Sequence, residues 1–289
     1  MSRKQRDTEM HSDSKRTFSV GRVVMYVVLF IGAVIMMFPF YWMITGAFKT
    51  QSEVNLIPPT MFPENPFNIE NFIYAFKTAP FAIYFRNSIL ALIGCTTTCS
   101  FTTILAAFAF SRLRFPGRET IFSMLLSLMM VPYEMIIITN YKTIVNWGLH
   151  DTIWALIIPF TSSIFYTYIL KGFFDSVPES LYQAAKVDGC SDWKYLWRVM
   201  VPMAKSSLAT IILLNSITTW NSFMWPMIAT NSKNSRTLPF GIYAFMAEGG
   251  QRNERMMAAS TIIIIPMIIV FLFARKYIIS GMSRGGIKG

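Results

Sequence analysis

Long apolar runs separated by short polar segments dominate the chain. A bilayer core about 30 Å thick takes roughly 20 residues of helix, and six stretches reach that length: 23–47, 87–110, 120–141, 152–171, 205–227 and 257–279. The second carries Thr96, Thr97, Thr98, Thr102 and Thr103, which makes it the least apolar and predicts that neighbouring helices bury it. Two intervening loops are long. The first, 51–85, contains Pro58, Pro59, Pro63, Pro66 and Pro80 and is predicted to be extended and turn-rich, with a short helix around 69–77. The second, 228–256, holds Pro239 and the pair Gly249–Gly250. Tyr74, Phe81, Tyr84, Phe240, Tyr243 and Phe245 predict order in both loops, hence docking or gating in place of a solvated connector.

Composition supports a lipid environment, with 53% hydrophobic and only 14% charged residues. The formal charge of +11 does not point to nucleic acid, because Lys and Arg fall as membrane flanks without a basic run interleaved with aromatics. Segments 1–22, 112–118, 171–205 and 275–289 carry six, three, five and four of them, against eight on the opposite side. Cytoplasmic flanks retain positive charge, so both termini are expected in the cytoplasm of a multi-pass protein. The expected organisation is a tail over 1–22, a six-helix domain over 23–279 and a second tail over 280–289. The first apolar run is too long for a cleaved signal peptide and reads as a retained helix. Cys95 and Cys99 lie in an apolar run and Cys190 stands alone, while His11 and His150 are far apart. Neither a disulfide framework, a zinc site nor a Ser-His-Asp set is expected.

The informative polar segment is 176–202. Ser176 is placed to cap a helix with Pro178 in its first turn, in which Leu181, Ala184, Ala185 and Val187 or Asp188 fall at helical spacing. Gly189 ends it. A second short helix over 191–201 is predicted to bring Trp193, Leu196, Trp197 and Met200 onto one face before Pro202. Two readings fit: a knob with small residues for close approach of a partner, and an amphipathic hairpin on the inner leaflet.

Ala184-Ala185-x-x-Asp188-Gly189, with Pro202 closing the segment, resembles the EAA loop of permease subunits of bacterial ATP-binding-cassette importers. The similarity extends to their carbohydrate branch, the maltose-type (MalG-like) permeases. It continues through Asn87-Ser88, the run Arg112-Leu113-Arg114-Phe115-Pro116-Gly117-Arg118, Gly148-Leu149, Trp220-Asn221-Ser222-Phe223, Thr237-Leu238-Pro239 and the terminal Gly285-Gly286-Ile287-Lys288-Gly289. This resemblance implies an all-α membrane protein of six transmembrane helices with the type I importer permease fold. It implies that Glu179, Gln183, Ala184, Ala185, Asp188 and Gly189 belong to a cytoplasmic coupling helix seated on an ATPase subunit. Where the family commonly has Glu, this chain has Gln183, which cannot form a carboxylate ion pair; Glu179 lies one turn earlier. Gly286, Lys288 and Gly289 are implied as a C-terminal ATPase contact, with a frayed polar end the alternative.

Within the spans Glu134 is the one acidic residue, two positions after Pro132. It is expected to line the path or bond a companion permease, or else to be a structural, snorkelled carboxylate. Asn215, Thr218, Thr219, Trp220 and Asn221 combine amide, hydroxyl and aromatic groups suited to a sugar, with helix–helix bonding the alternative. Pro239, Gly241, Tyr243 and Gly249 lie where the family meets its extracellular solute-binding protein or lipoprotein. No G-x-x-x-x-G-K-[ST] sequence is present, so no P-loop of its own is expected to bind ATP; the resemblance implies a non-catalytic subunit without cofactor, with ATP and Mg on two partner ATPase subunits. The further partners implied are a second permease in a heterodimer and the lipid of the bacterial cytoplasmic membrane. An ion-coupled carrier would call for repeats or several intramembrane charges, and an intramembrane enzyme for paired catalytic groups.

Overall fold

The computed structural model describes residues 20–249, 252–265 and 268. Every regular element among them is helical: α1 (Val20–Ala47), α2 (Gln51–Val54), α3 (Glu70–Thr78), α4 (Phe81–Arg112), α5 (Arg118–Leu128), α6 (Tyr133–Asn146), α7 (Ile153–Ile157), α8 (Ile164–Ser176), α9 (Glu179–Val187), α10 (Asp192–Tyr195), α11 (Val201–Met203), α12 (Lys205–Trp220), α13 (Met224–Ala229) and α14 (Leu238–Gly249). A last helix, α15, is described over 253–265. The tails and most of the sixth predicted run lie outside the described residues.

Helix α4 organises the fold. Its buried positions Tyr84, Ala91, Cys95, Cys99, Thr103 and Ala107 recur every four or seven residues, so one stripe faces the neighbours. Most of these side chains are small, which lets helix backbones approach closely. Helices α7, α8, α12 and α14 pack on it, and the burial predicted for the second run is observed. A cluster at one end joins α4 to α8, α10 and α12 through Phe108, Phe174, Tyr195 and Leu208. At the other end Phe81, Tyr84, Trp220, Leu238 and Phe245 join α3, α4, α12 and α14.

The third predicted run is not one straight helix. Helices α5 and α6 meet at 100° because Pro132, extended at φ −60° and ψ 138°, has no N–H for the helical ladder. The fourth divides into α7, continued by a 3-10 turn over Ile158–Phe160, and α8, bent by 44°; Ser163 accepts from the Tyr166 N–H and restarts the helix. The fifth ends at Trp220 instead of 227, and the segment Asp192–Met203 meets α12 at 80°. Among the described residues two helices are long and apolar enough to cross a membrane singly, and up to five spans result if each bent pair is one.

Helix α1 stands away from this body, exposed on all sides over residues 23–40. Its end is anchored by the first loop. The Asn71 amide donates to the carbonyls of Ala47 and Lys49 at 2.9 and 2.8 Å, satisfying carbonyls that a helix terminus leaves open. A capping box between Thr50 and Glu53 starts α2. The predicted short helix is α3, shifted by one residue. The second long loop contains more helix than expected: α14 occupies 12 of its residues, because Leu238, Phe240 and Phe245 bury one face.

Candidate coupling surface and translocation path

Helix α9 starts two residues later than expected, capped at position 178 instead of 176. Ser176 is the final residue of α8, its hydroxyl donating to the Phe173 carbonyl, and Pro178 is the N-cap. Val177 precedes a proline and is extended, which stops α8 from continuing. The far end closes as a Schellman motif: Cys190 N–H donates to Ala185 O at 2.8 Å and Gly189 N–H to Lys186 O at 3.0 Å. Gly189 adopts φ +73°, the left-handed conformation that favours glycine.

No residue of α9 is buried. Tyr182 and Ala185 pack inward against the α4–α8 cluster, and Leu181, Gln183, Ala184, Val187 and Asp188 face outward. Charge pairs brace both ends. At the start, Glu179 accepts from Arg114 at 2.9 Å; at the finish, Asp192 meets Lys186 at 2.7 Å and accepts from the Tyr182 hydroxyl at 2.5 Å. Hydrogen bonds from Arg114, and then from Gln183, hold the Glu179 carboxyl below its ordinary range. Lys186 and Tyr182 do the same for Asp192, outweighing its burial. Folded carboxylates with depressed pKa contribute stability above the unfolded carboxylate range, lost as pH falls through the folded value. The bracing is therefore constant around neutrality and fails only in acid.

An open cleft beside α9 is lined by Arg114, Phe115, Glu179, Gln183, Lys186 and Asp192. The second short helix departs from its expected face. A π turn over Leu196–Met200 widens the pitch, so Leu196 and Met200 are buried while Trp193 is exposed. Trp197 stacks on Phe101 of α4, rings 6.2 Å apart.

Among the residues singled out in the spans, Glu134 is exposed in the first turn of α6, where a helix N-terminus favours negative charge. Asn215 is buried and its Oδ1 accepts from Thr96 at 3.3 Å and Thr219 at 3.4 Å, tying α12 to α4. Trp220 is buried in the cluster at the end of α4 away from α9, edge-on to Phe85 at 6.1 Å. Asn221 is exposed where α12 ends. Thr218, Thr219, Ser222 and Thr237 line a cavity of about 60 Å³, far below the roughly 300–1,000 Å³ of a typical ligand pocket. At the opposite end of the fold from α9, Tyr243 is exposed and Pro239 half-buried, whereas Gly241 is covered: a Cβ there would meet Tyr84 Cδ2 at 2.2 Å. Gly249 ends α14. Gly286, Lys288 and Gly289 lie outside the described residues. Among the described residues no group of three His, Cys, Asp or Glu could hold a metal.

Two motifs far apart in sequence meet here. The Asn87 amide donates to the carbonyls of Asn234 and Arg236 at 2.7 and 3.0 Å, and the Leu238 N–H donates to the Ser88 hydroxyl at 2.8 Å. Asp151 is a residue that sequence reasoning missed. It sits at φ +61°, accepts the N–H groups of Asn231 and Ser232 at 2.8 and 3.0 Å, and pins this loop to the turn before α7. Burial raises its pKa, but those N–H donors together hold it below the ordinary carboxylate range. Its position directly after Gly148-Leu149-His150, as an acidic residue able to adopt φ > 0, was the available signal. Asp151→Ala is expected to cost about 2 kcal/mol, from the lost charged acceptor and the left-handed backbone. Asp151→Asn keeps an acceptor and should cost about half; thermal unfolding in detergent measures both.

Comparison with known proteins supplies the context of this geometry. Residues 100–284 match the family model described as "Binding-protein-dependent transport system inner membrane component". The chain is 32% identical over 280 residues to the inner membrane ABC transporter permease protein YcjP of Escherichia coli K12, covering 96% of this chain and 99% of that one. It is 29% identical over 276 residues to the arabinooligosaccharides transport system permease protein AraQ of Bacillus subtilis 168, covering 94% and 98%. In fold it resembles a chain of a bacterial ABC transporter involved in the import of alginate, with TM-score 0.76, 22% identity and 96% and 98% coverage. With a family model spanning 185 residues, through α9 and the helices that hold it, the chain belongs to the binding-protein-dependent transport system inner membrane components.

Proposed function

We propose that this chain is one permease subunit of an ATP-binding-cassette importer for a carbohydrate, working beside a second permease, two cytoplasmic ATPase subunits and an extracellular solute-binding protein. The observation that carries the reading is α9: a short helix with no buried residue, braced at both ends, its outward face carrying Ala184 among Leu181, Gln183, Val187 and Asp188, on a chain of this family. Names of the relatives support the substrate class, since they include a transporter of arabinooligosaccharides and one of sn-glycerol 3-phosphate. In this reading the bent pairs and α15 complete six spans over 23–279, and α9 and both tails face the cytoplasm.

Coupling follows from mechanics. Tyr182 and Ala185 tie α9 to α4 and α8, and Arg114 and Asp192 fix its ends, so displacement of a docked ATPase moves the helix body instead of deforming the loop. ATP and Mg belong to the ATPase subunits, and this chain performs no bond chemistry. The path runs beside α12, where Thr219, Asn221 and Glu134 offer polar groups, while Asn215 and Trp220 hold α12 in place. Pro239 and Tyr243, with Gly249, form the face toward the binding protein, and the Gly286–Gly289 tail reaches the ATPase dimer.

The test is purification of the native complex through this chain, with mass spectrometry of its companions and labelled-sugar uptake in proteoliposomes. A P-loop ATPase, a second permease and uptake requiring ATP together are the expected result. Uptake by this chain alone, driven by an ion gradient, would overturn it.

A further inference from the structure

The first loop carries an apolar surface that none of the proposed roles uses. Ile57, Phe67 and Phe62 are 95%, 86% and 72% exposed, and Leu56 and Met61 are exposed beside them. Between Val54 and Ile69 the only charged residue is Glu64. A water-facing loop of this composition would place large apolar side chains in solvent without compensation.

The loop's height relative to α1 resolves this. It does not project away from the helix end but folds back along it. The Tyr41 hydroxyl donates to the Met61 carbonyl at 2.8 Å, Phe62 packs edge-on to Tyr41 with rings 6.0 Å apart, and Lys49 reaches the Thr60 carbonyl at 2.5 Å. Tyr41 lies six residues before the end of α1 at Ala47, so at 1.5 Å per residue Phe62 sits about 9 Å back along the helix. That is the level of Tyr41 and Trp42, the aromatic pair at this end of the apolar stretch Val23–Ala47, and such pairs mark the membrane–water interface.

We infer that the segment 56–67 is an interfacial membrane anchor, whose Ile57, Phe62 and Phe67 side chains enter the leaflet on the side opposite α9. Lipid is the occupant that fits, because the apolar surface continues that of α1, exposed on all sides over 23–40. A charged binding-protein surface would meet only Glu64 here. The anchor would fix the end of α1 in height and tilt through Tyr41, Lys49 and the Asn71 cap, so that the first loop positions the span as well as connecting it.

The inference rests on α1 being a span, and the experiment separates the two. In the intact complex in nanodiscs, with Cys190→Ser as background, nitroxide labels are placed singly at Ile57→Cys, Phe67→Cys, the polar-loop position Ser232→Cys and Val28→Cys within α1. Collision rates with oxygen and with a water-soluble nickel chelate are read by electron paramagnetic resonance. The expected result is oxygen exceeding nickel at 57 and 67, as at 28, with the reverse at 232. Nickel exceeding oxygen at 57 and 67 while 28 remains lipid-exposed would overturn the anchor alone. Protection from both reagents would place a protein partner there and equally overturn it. Nickel access at 28 would overturn the span.

Discussion

Ala184→Trp is expected to reduce ATP-driven uptake by at least about tenfold, a coupling loss of roughly 1.4 kcal/mol or more, while leaving the chain's own unfolding midpoint unchanged. Ala184 lies on the outward face of α9, so the indole meets no other part of this chain and its effect falls on whatever docks there. Close approach over Ala184, the one small side chain on that face of α9, is sensitive to added volume because packed interfaces tolerate little overfilling. Tryptophan at the neighbouring exposed position Leu181 should be milder, since a large side chain is already present. Two measurements check this: ATPase co-purification with uptake in proteoliposomes, and thermal unfolding of the isolated chain in detergent. Uptake within about twofold of the parent, with full ATPase recovery, would sink the assignment of α9 as the docking helix.

The largest effect on folding is expected at Arg112. Arg112 is 9% exposed at the end of α4, and its Nη2 donates to the carbonyls of Phe174 and Val177, both at 2.6 Å. Those carbonyls end α8, where helices leave acceptors open and cations are favoured. One guanidinium thus clamps the ends of α4 and α8 directly beneath α9. Arg112→Ala would strand both carbonyls and remove a charged donor, at about 3 kcal/mol. Arg112→Lys, with one compact ammonium, should recover only part of this. Because α9 leaves α8 immediately after Val177, uptake should fall further than protein abundance does. A loss of abundance matched by an equal loss of uptake would instead make Arg112 a stability residue alone.

Much of this protein was readable without coordinates, and the reason differs from residue to residue. The apolar runs announce themselves because crossing a bilayer depends on local length and composition. Gly189 announced the end of α9, since an αL helix stop is a local event. The expectation for Ser176 failed on an equally local rule, the restriction Pro178 places on Val177. Pro132 stood within the run 120–141, which was read as one span; the break there and its 100° angle between α5 and α6 depend on what each helix packs against. Arg112 was legible only as one more positive flank, since its two carbonyl partners lie 62 and 65 residues away.

The sequence by itself determined that this is a helical membrane protein with a polar helix-Gly-helix segment at 176–202, because span length, charge bias and helix punctuation are properties of short stretches of chain. Tertiary structure decided which side of each helix is free. It turned Asn215 and Trp220 toward packing, left Ala184 outward, joined Asn87 and Ser88 to a loop some 150 residues away, and laid the first loop back along α1. Those outcomes depend on contacts between distant segments, and a side chain's role follows from whether another helix arrives to cover it.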